Sequence, residues 1–117
     1  MSKRVYCVAE FLPKEGKFDS LFQRLQALEP NTLREDGCIQ YRVTRQIQSP
    51  FAEGKGFPIV FNEIWEDMNA FEAHCQRQEI VNFFQTVCLA DDGLAAEWNV
   101  RVFSDEPNDY DAPKTIK

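Results

Sequence analysis

The order in which two hydrophobic periodicities follow one another is the feature that most restricts the fold of this chain. Apolar residues alternate, as they do in strands, over residues 4–12, 38–48, 58–65 and 95–103. Apolar residues three and four positions apart, as in amphipathic helices, follow the first and the third of these segments. The order strand, helix, strand, strand, helix, strand predicts an α+β fold of the ferredoxin-like split βαβ type, with a four-stranded antiparallel sheet and helices on one face.

The predicted helical regions have recognisable beginnings and ends. Pro30 is expected to interrupt the first, and Asn31 is a candidate cap for a short turn that Asp36 and Gly37 end. Asp67 is expected to cap a short helix over residues 68–75. The apolar positions of the first helix are Phe18, Leu21, Phe22, Leu25 and Leu28, and those of the helix after residue 75 are Ile80, Phe83, Phe84, Val87 and Cys88.

The composition indicates one domain followed by a tail. A chain of 117 residues, 44% of them hydrophobic, can build a single two-layer core. We expect this domain to span residues 1–103. Residues 104–117 are acidic and nearly without apolar side chains, so they are expected to be flexible or to lie along a partner subunit.

The charge of the chain excludes several classes of partner. Its 13 Lys and Arg against 19 Asp and Glu give a net charge of −6. Nucleic acids and anionic membranes require basic surfaces, so neither is expected to bind. The sequence has no apolar run long enough to span a bilayer, and its first residues do not form a signal-peptide core. We therefore expect a cytoplasmic location.

The cysteines do not follow the spacing of a metal site. Cys7, Cys38, Cys75 and Cys88 form neither a C-x-x-C pair nor a zinc-ligand pattern, and we expect free, largely buried thiols. Cys75 lies beside the only histidine, so a catalytic thiol is the less favoured alternative. Glycine-rich phosphate-binding motifs are also missing from the sequence, and we therefore expect neither a metal nor a cofactor.

Strands one and three carry apolar residues on both faces. Helices can cover only one face of the predicted sheet. A homodimer in which two sheets pack face to face would bury the other, with self-complementary two-fold contacts.

A carboxylate lies among large apolar neighbours in strand three. Side chains alternate between faces along a strand, so Ile59, Phe61, Glu63 and Trp65 share one side. Glu63 must then be paired with a cation, bonded to a buried donor, or protonated through a raised pKa. A structural acid and a functional acid–base group both satisfy this condition, and both readings stay open.

Three linked motifs give the chain a family resemblance. They are Arg34-Glu35-Asp36-Gly37-Cys38-Ile39-Gln40-Tyr41, Asn62-Glu63-Ile64-Trp65-Glu66-Asp67 and Ala70-Phe71-Glu72-Ala73-His74. In order and spacing they resemble the antibiotic biosynthesis monooxygenase (ABM) family, over about residues 4–103. The resemblance implies a dimeric α/β barrel built from two ferredoxin-like subunits, with a pocket between sheet and helices in each.

Function follows less directly from this resemblance, because one fold serves several chemistries. Some relatives oxidise aromatic polyketides or quinols with dioxygen and no prosthetic group, some degrade haem, and one isomerises a small phosphorylated sugar. Haem-degrading relatives use an asparagine on strand one, where this chain has Cys7 and Ala9. We expect a cofactor-independent monooxygenase of a small phenol or quinol that uses molecular oxygen. The alternatives are a non-catalytic dimer that binds a small ligand, a haem-binding or haem-degrading protein, and a sugar isomerase.

Five residues are the candidates for this site. His74 or Glu63 would be the catalytic base, since an imidazole or a desolvated carboxylate titrates near neutral pH. Trp65, Tyr41 and Phe71 would shape the substrate pocket. Structural interpretations also stay open for three of them: His74 bonded to a backbone carbonyl, and Trp65 and Tyr41 packed in the core.

Overall fold

The computed structural model describes residues 3–108, which form one antiparallel sheet with helices on one of its faces. The strands are β1 (Val5–Pro13), β2 (Cys38–Arg45), β3 (Ile59–Trp65) and β4 (Ala95–Phe103), in the spatial order β2-β3-β1-β4. The predicted ferredoxin-like α+β fold is thereby confirmed. Residues 104–108 lie outside helices and strands, and the rest of the predicted tail, 109–117, lies outside the described residues.

The helices fill the two connections that the periodicity predicted. They are α1 (Phe18–Gln26), α2 (Glu29–Thr32), α3 (Met68–Cys75) and α4 (Gln78–Phe83), and a π-helical segment, Phe84–Leu89, continues α4. Over residues 3–108, no helix combines the length and the apolar character needed to cross a bilayer.

The core lies between the helices and one face of the two central strands. Alternate residues of β1 and β3 are buried, as the period of a strand requires. Leu21 and Leu25 of α1 are completely buried against this face. Phe11 of β1 meets Phe83 of α4 edge to face, with ring centroids 5.9 Å apart. The predicted apolar stripes are therefore what join the two layers.

The prediction for strand two was correct at its start, Cys38, and wrong at its end. The strand ends at Arg45 and not at Gln48; the amide of Gln46 still donates to the Pro58 carbonyl at 2.9 Å, and the chain leaves the sheet after this contact. Ile47 consequently lies in the loop, 80% exposed. Pairing with β3 also shifts register between Cys38 and Gln40, so Ile39 leaves the buried face and is 44% exposed.

The boundary between the first two helices also differs from the prediction. Helix α1 ends at Gln26, and Pro30 lies in the first turn of α2, where a missing N–H costs no hydrogen bond. Asn31 lies inside α2, whose N-cap is Leu28. The predicted cap of α3 is confirmed: the Asp67 carboxylate accepts from the amide of Ala70 at 2.9 Å.

The helix-free face of the sheet is partly apolar and is not covered by any other part of residues 3–108. Val8 and Leu12 of β1 and Val60 and Ile64 of β3 point to this side and are only half-buried. Apolar side chains on an uncovered sheet face are characteristic of surfaces that pack against another molecule.

Candidate functional site

A cavity of about 260 Å³ lies between the helix-bearing face of the sheet and the helices. Its polar side chains are Tyr41, Glu63 and His74, together with two thiols, and no lysine or arginine occurs among its described lining residues. The lining is formed by Cys7, Ala9, Phe11, Leu25, Leu28, Tyr41, Phe61, Glu63, Phe71, His74, Cys75, Ile80, Phe83, Phe84 and Val100. Such an apolar chamber with a few polar groups is typical of small-molecule sites.

Glu63 is held in this cavity by the alternation of β3. The carboxylate is 6% exposed, and the indole Nε1–H of Trp65, two residues further on the same face, donates to its Oε1 at 2.9 Å. Burial raises the pKa of Glu63 from 4.5 to about 7, although hydrogen bonds from Trp65 and Cys7 oppose the shift. Near neutral pH, Glu63 is therefore able both to release and to accept a proton.

The raised pKa makes Glu63 a source of pH-dependent instability. The Glu63 carboxyl group loses its proton near pH 4.5 in the unfolded chain and near pH 7 in the folded chain. The protonated group therefore contributes its full stabilisation below pH 4.5, and this stabilisation is lost as the pH rises to 7. At about 1.4 kcal/mol per pKa unit, the loss is on the order of 3 kcal/mol. Glu63→Gln should therefore gain stability relative to the parent protein across this range, as measured by urea unfolding at several pH values.

Glu66→Gln is the matched control, because Glu66 is exposed just beyond the end of the same strand. Its stability relative to the parent should not change with pH in this way. A constant difference between Glu63→Gln and the parent from pH 4.5 to 7 would show that Glu63 is ionised throughout.

His74 is buried on α3, in contact with two of the other candidates. It is 4% exposed, and its ring centroid lies 4.6 Å from that of Trp65 and 5.2 Å from that of Tyr41. Burial lowers the pKa of His74 below 6.5, while its hydrogen bond to Glu35 acts in the opposite direction. The imidazole is consequently neutral at pH 7 and able to accept a proton.

An ion pair behind His74 was not predicted from the sequence. The Nδ1 of His74 lies 3.0 Å from Oε2 of Glu35, and Nη1 of Arg77 lies 2.6 Å from the same oxygen. Glu35 lies between α2 and β2, 39 residues before His74 and 42 before Arg77. No local pattern marks such a pair, and only the family-like motif that contains Glu35 drew attention to its neighbourhood.

The five predicted site residues fall into two groups. Tyr41, Glu63, Phe71 and His74 line the cavity. Trp65 does not: it is completely buried and reaches the cavity only through its hydrogen bond to Glu63. The prediction that Trp65 forms part of the ligand surface is therefore corrected, because its ring is packed behind Glu63 and His74.

The thiols are free, as predicted, but only Cys7 and Cys88 are buried, whereas Cys38 is half-buried and Cys75 is exposed. Burial raises the pKa of each, to about 11 for Cys38 and Cys75 and to about 12 for Cys88, and that of the buried Cys7 also rises. A protonated thiol is a poor nucleophile and a poor metal ligand. Residues 3–108 contain no cluster of three or more metal-ligating side chains.

Comparison with known sequences identifies one family. The sequence model of the antibiotic biosynthesis monooxygenase family matches residues 4–86, more than half of the chain, and this span contains Glu35, Glu63 and His74. No curated protein matches the chain in sequence.

Several solved structures share the fold. A Shewanella oneidensis protein is 31% identical, with a TM-score of 0.73 over 89% of this chain and 92% of its own. A Pseudomonas aeruginosa protein is 20% identical, with a TM-score of 0.70 over 89% and 95%. A Bacteroides fragilis protein, named as dimeric and ferredoxin-like, is 9% identical, with a TM-score of 0.63 over 86% and 95%. The last two similarities show the fold alone.

Proposed function

The chain belongs to the antibiotic biosynthesis monooxygenase family, and from this premise we propose that it is a cofactor-independent monooxygenase of a small, uncharged phenol or quinol. One observation carries the proposal: two buried acid–base groups, Glu63 with a raised pKa and His74 with a lowered pKa, line one apolar cavity. Perturbed acid–base groups that share a cavity are a signature of active sites.

The cavity wall supports a neutral aromatic substrate. Aromatic side chains form much of the wall, and about 260 Å³ is room for a compact ring system. A sugar phosphate or the propionates of haem would require cations to balance their charge, and the described lining has no lysine or arginine. The isomerase and haem alternatives therefore lose support.

The proposed chemistry begins with proton transfer to His74. The substrate hydroxyl gives its proton to Nε2, and the resulting phenolate passes one electron to dioxygen, forming a phenoxyl radical and superoxide. These combine at an unsubstituted ring carbon, and the resulting peroxide takes the proton back from His74 to become a hydroperoxide. His74 then accepts the proton of the ring C–H bond as the O–O bond breaks, hydroxide leaves as water and a quinone remains. One oxygen atom enters the quinone and the other leaves as water, so no external reductant is required.

Glu63 and the apolar cavity have separate roles in this series of reaction steps. In its protonated form, Glu63 donates a proton to the departing hydroxide, and Trp65 keeps its carboxyl group oriented. Tyr41 and Phe71 contact the ring of the substrate. An apolar enclosure strengthens these interactions because water does not compete for the same donors and acceptors.

Oxygen consumption tests the proposal directly. Chelator-treated protein would be mixed with a series of neutral phenols, naphthols and quinols in an oxygen electrode, and the products of ¹⁸O₂ reactions would be analysed by mass spectrometry. We expect protein-dependent turnover with one labelled oxygen in the quinone. Binding of these compounds, seen by quenching of the tryptophan fluorescence, without any oxygen uptake would instead favour a non-catalytic ligand-binding protein.

The uncovered sheet face leads us to propose a homodimer. Ile64, half-buried on the central strand β3, points to this face, and a relative of the same fold is named as dimeric. The parent protein should therefore be a dimer by light scattering at micromolar concentration. Ile64→Glu should shift it to monomer, because the new charge would be buried without a partner.

Leu89→Glu is the control for this experiment. Leu89 is 66% exposed at the end of the π-helical segment, which belongs to the helical layer and not to the helix-free face. This variant should remain a dimer. A monomeric parent protein, or dissociation by both variants alike, would contradict the assignment of the interface to the helix-free face.

A further inference from the structure

The carboxylate of Glu35 fixes the hydrogen-bonding role of one nitrogen of His74. Its two oxygens lie 3.0 and 3.3 Å from Nδ1, and its side chain is only 12% exposed. Nη1 of Arg77 lies 2.6 Å from Oε2 of the same carboxylate. An ionised carboxylate only accepts hydrogen bonds, so Nδ1 of His74 must carry the hydrogen.

We propose that Glu35 is a positioning residue for His74, which it holds in the Nδ1–H tautomer so that Nε2 is the free proton acceptor on the cavity side. This inference rests on the proposed function, in which His74 is the base. The two nitrogens of an imidazole point away from each other, and His74 contacts Glu35 with one edge while lining the cavity. Arg77 in turn holds the Glu35 carboxylate in place through its contact of 2.6 Å.

The pair also stabilises the imidazolium that forms when His74 accepts a proton. Glu35 and Glu79 favour the protonated form and Arg77 disfavours it, with Glu35 the strongest of the three. A carboxylate that orients a catalytic histidine in this way can contribute several orders of magnitude to the rate, mainly by selecting the tautomer. Here a carboxylate and a histidine that lie 39 residues apart in the chain are brought into the same arrangement.

A single histidine makes the tautomer directly measurable. The chain has only one His, so the two imidazole ¹⁵N resonances in a long-range ¹H–¹⁵N spectrum belong to His74 without further assignment. Above the pKa of His74, the parent protein should show Nδ1 protonated and Nε2 unprotonated. A spectrum with Nε2 protonated instead would overturn the proposal without any variant.

Glu35→Gln is the informative substitution, because glutamine keeps the shape and offers an N–H donor in place of one carboxylate oxygen. We expect the ¹⁵N pattern to shift toward the Nε2–H tautomer and the protonation midpoint of His74 to fall. Glu72→Gln, an exposed carboxylate on the same helix, should change neither. Unchanged tautomer and midpoint in Glu35→Gln would also overturn the proposal.

Arg77→Gln gives a second, independent measurement if Glu35→Gln does not fold. Removing this cation should raise the protonation midpoint of His74 and preserve the Nδ1–H tautomer, because Glu35 still accepts from Nδ1. A shift to the Nε2–H tautomer in this variant would contradict the assigned role of Glu35.

Activity separates this inference from the function on which it rests. If the parent protein oxidises phenols, Glu35→Gln should lower kcat by about 10²- to 10⁴-fold with little change in KM, because the substrate does not contact Glu35. A change of less than about threefold would overturn the positioning role. If the parent shows no oxidation, the proposed function fails, and the spectra still decide whether Glu35 sets the tautomer.

Discussion

Oxygen-dependent turnover is expected to fall by roughly 10²- to 10⁴-fold when His74 is replaced by asparagine, which is the usual contribution of a general base. Asparagine is the sharpest choice, because its side-chain N–H replaces Nδ1–H as a donor to Glu35 while nothing replaces Nε2. The substitution thus removes the proposed proton acceptor and preserves the ion pair with Arg77. Initial rates in an oxygen electrode, with circular dichroism to verify the fold, provide the measurement.

The pH dependence of the remaining activity identifies the base. In the parent protein, the rate should rise with pH through the lowered pKa of His74. In His74→Asn that step should be missing, and only the titration of Glu63 near pH 7 should remain. Full activity in the variant would transfer the role of base to Glu63.

Gly37→Ala is expected to reduce the free energy of unfolding by about 2–5 kcal/mol. Gly37 has φ +81°, a left-handed conformation that costs an L-residue roughly 1–2 kcal/mol. An added Cβ would also lie 2.6 Å from Cβ of Ala70 on α3, and relieving such overpacking costs about 1–3 kcal/mol more. Urea unfolding at constant pH measures the total.

Gly16→Ala is the matched control, since Gly16 has nearly the same conformation, φ +76°, with no atom within 4 Å of the added Cβ. It should lose only the conformational part, about 1–2 kcal/mol. Combining Gly37→Ala with Ala70→Gly should restore most of the contact part. Equal losses in the two single variants would show that the contact between Gly37 and α3 is unimportant.

The contact at Gly37 also matters for the site. The Gly37 carbonyl accepts from the amide of Glu66 at 2.7 Å, so the turn that contains Glu35 is joined to the end of β3. Helix α3 begins two residues later and carries His74. A displaced turn would therefore separate Glu35 from His74, and Gly37→Ala should lose activity as well as stability.

Local physics explains what was predictable from the sequence. The alternation Ile59, Phe61, Glu63, Trp65 predicted that a carboxylate faces the core, because the period of a strand depends only on neighbouring residues. The cap at Asp67 and the apolar stripes of the helices are equally local. The register of β2 was not predictable, because the shift between Cys38 and Gln40 arises from pairing with another strand.

The sequence by itself thus determined the order of the elements, the ferredoxin-like class and the presence of Glu63 among apolar neighbours. Only the tertiary structure brought Glu35 and Arg77 to His74, across 39 and 42 residues of chain, and placed Trp65 behind the cavity wall. The physical reason is the distance along the chain over which each effect acts, because periodicity and capping depend only on residues a few positions apart. The protonation and orientation of a buried side chain, by contrast, depend on charges and donors that distant segments supply only after the chain has folded.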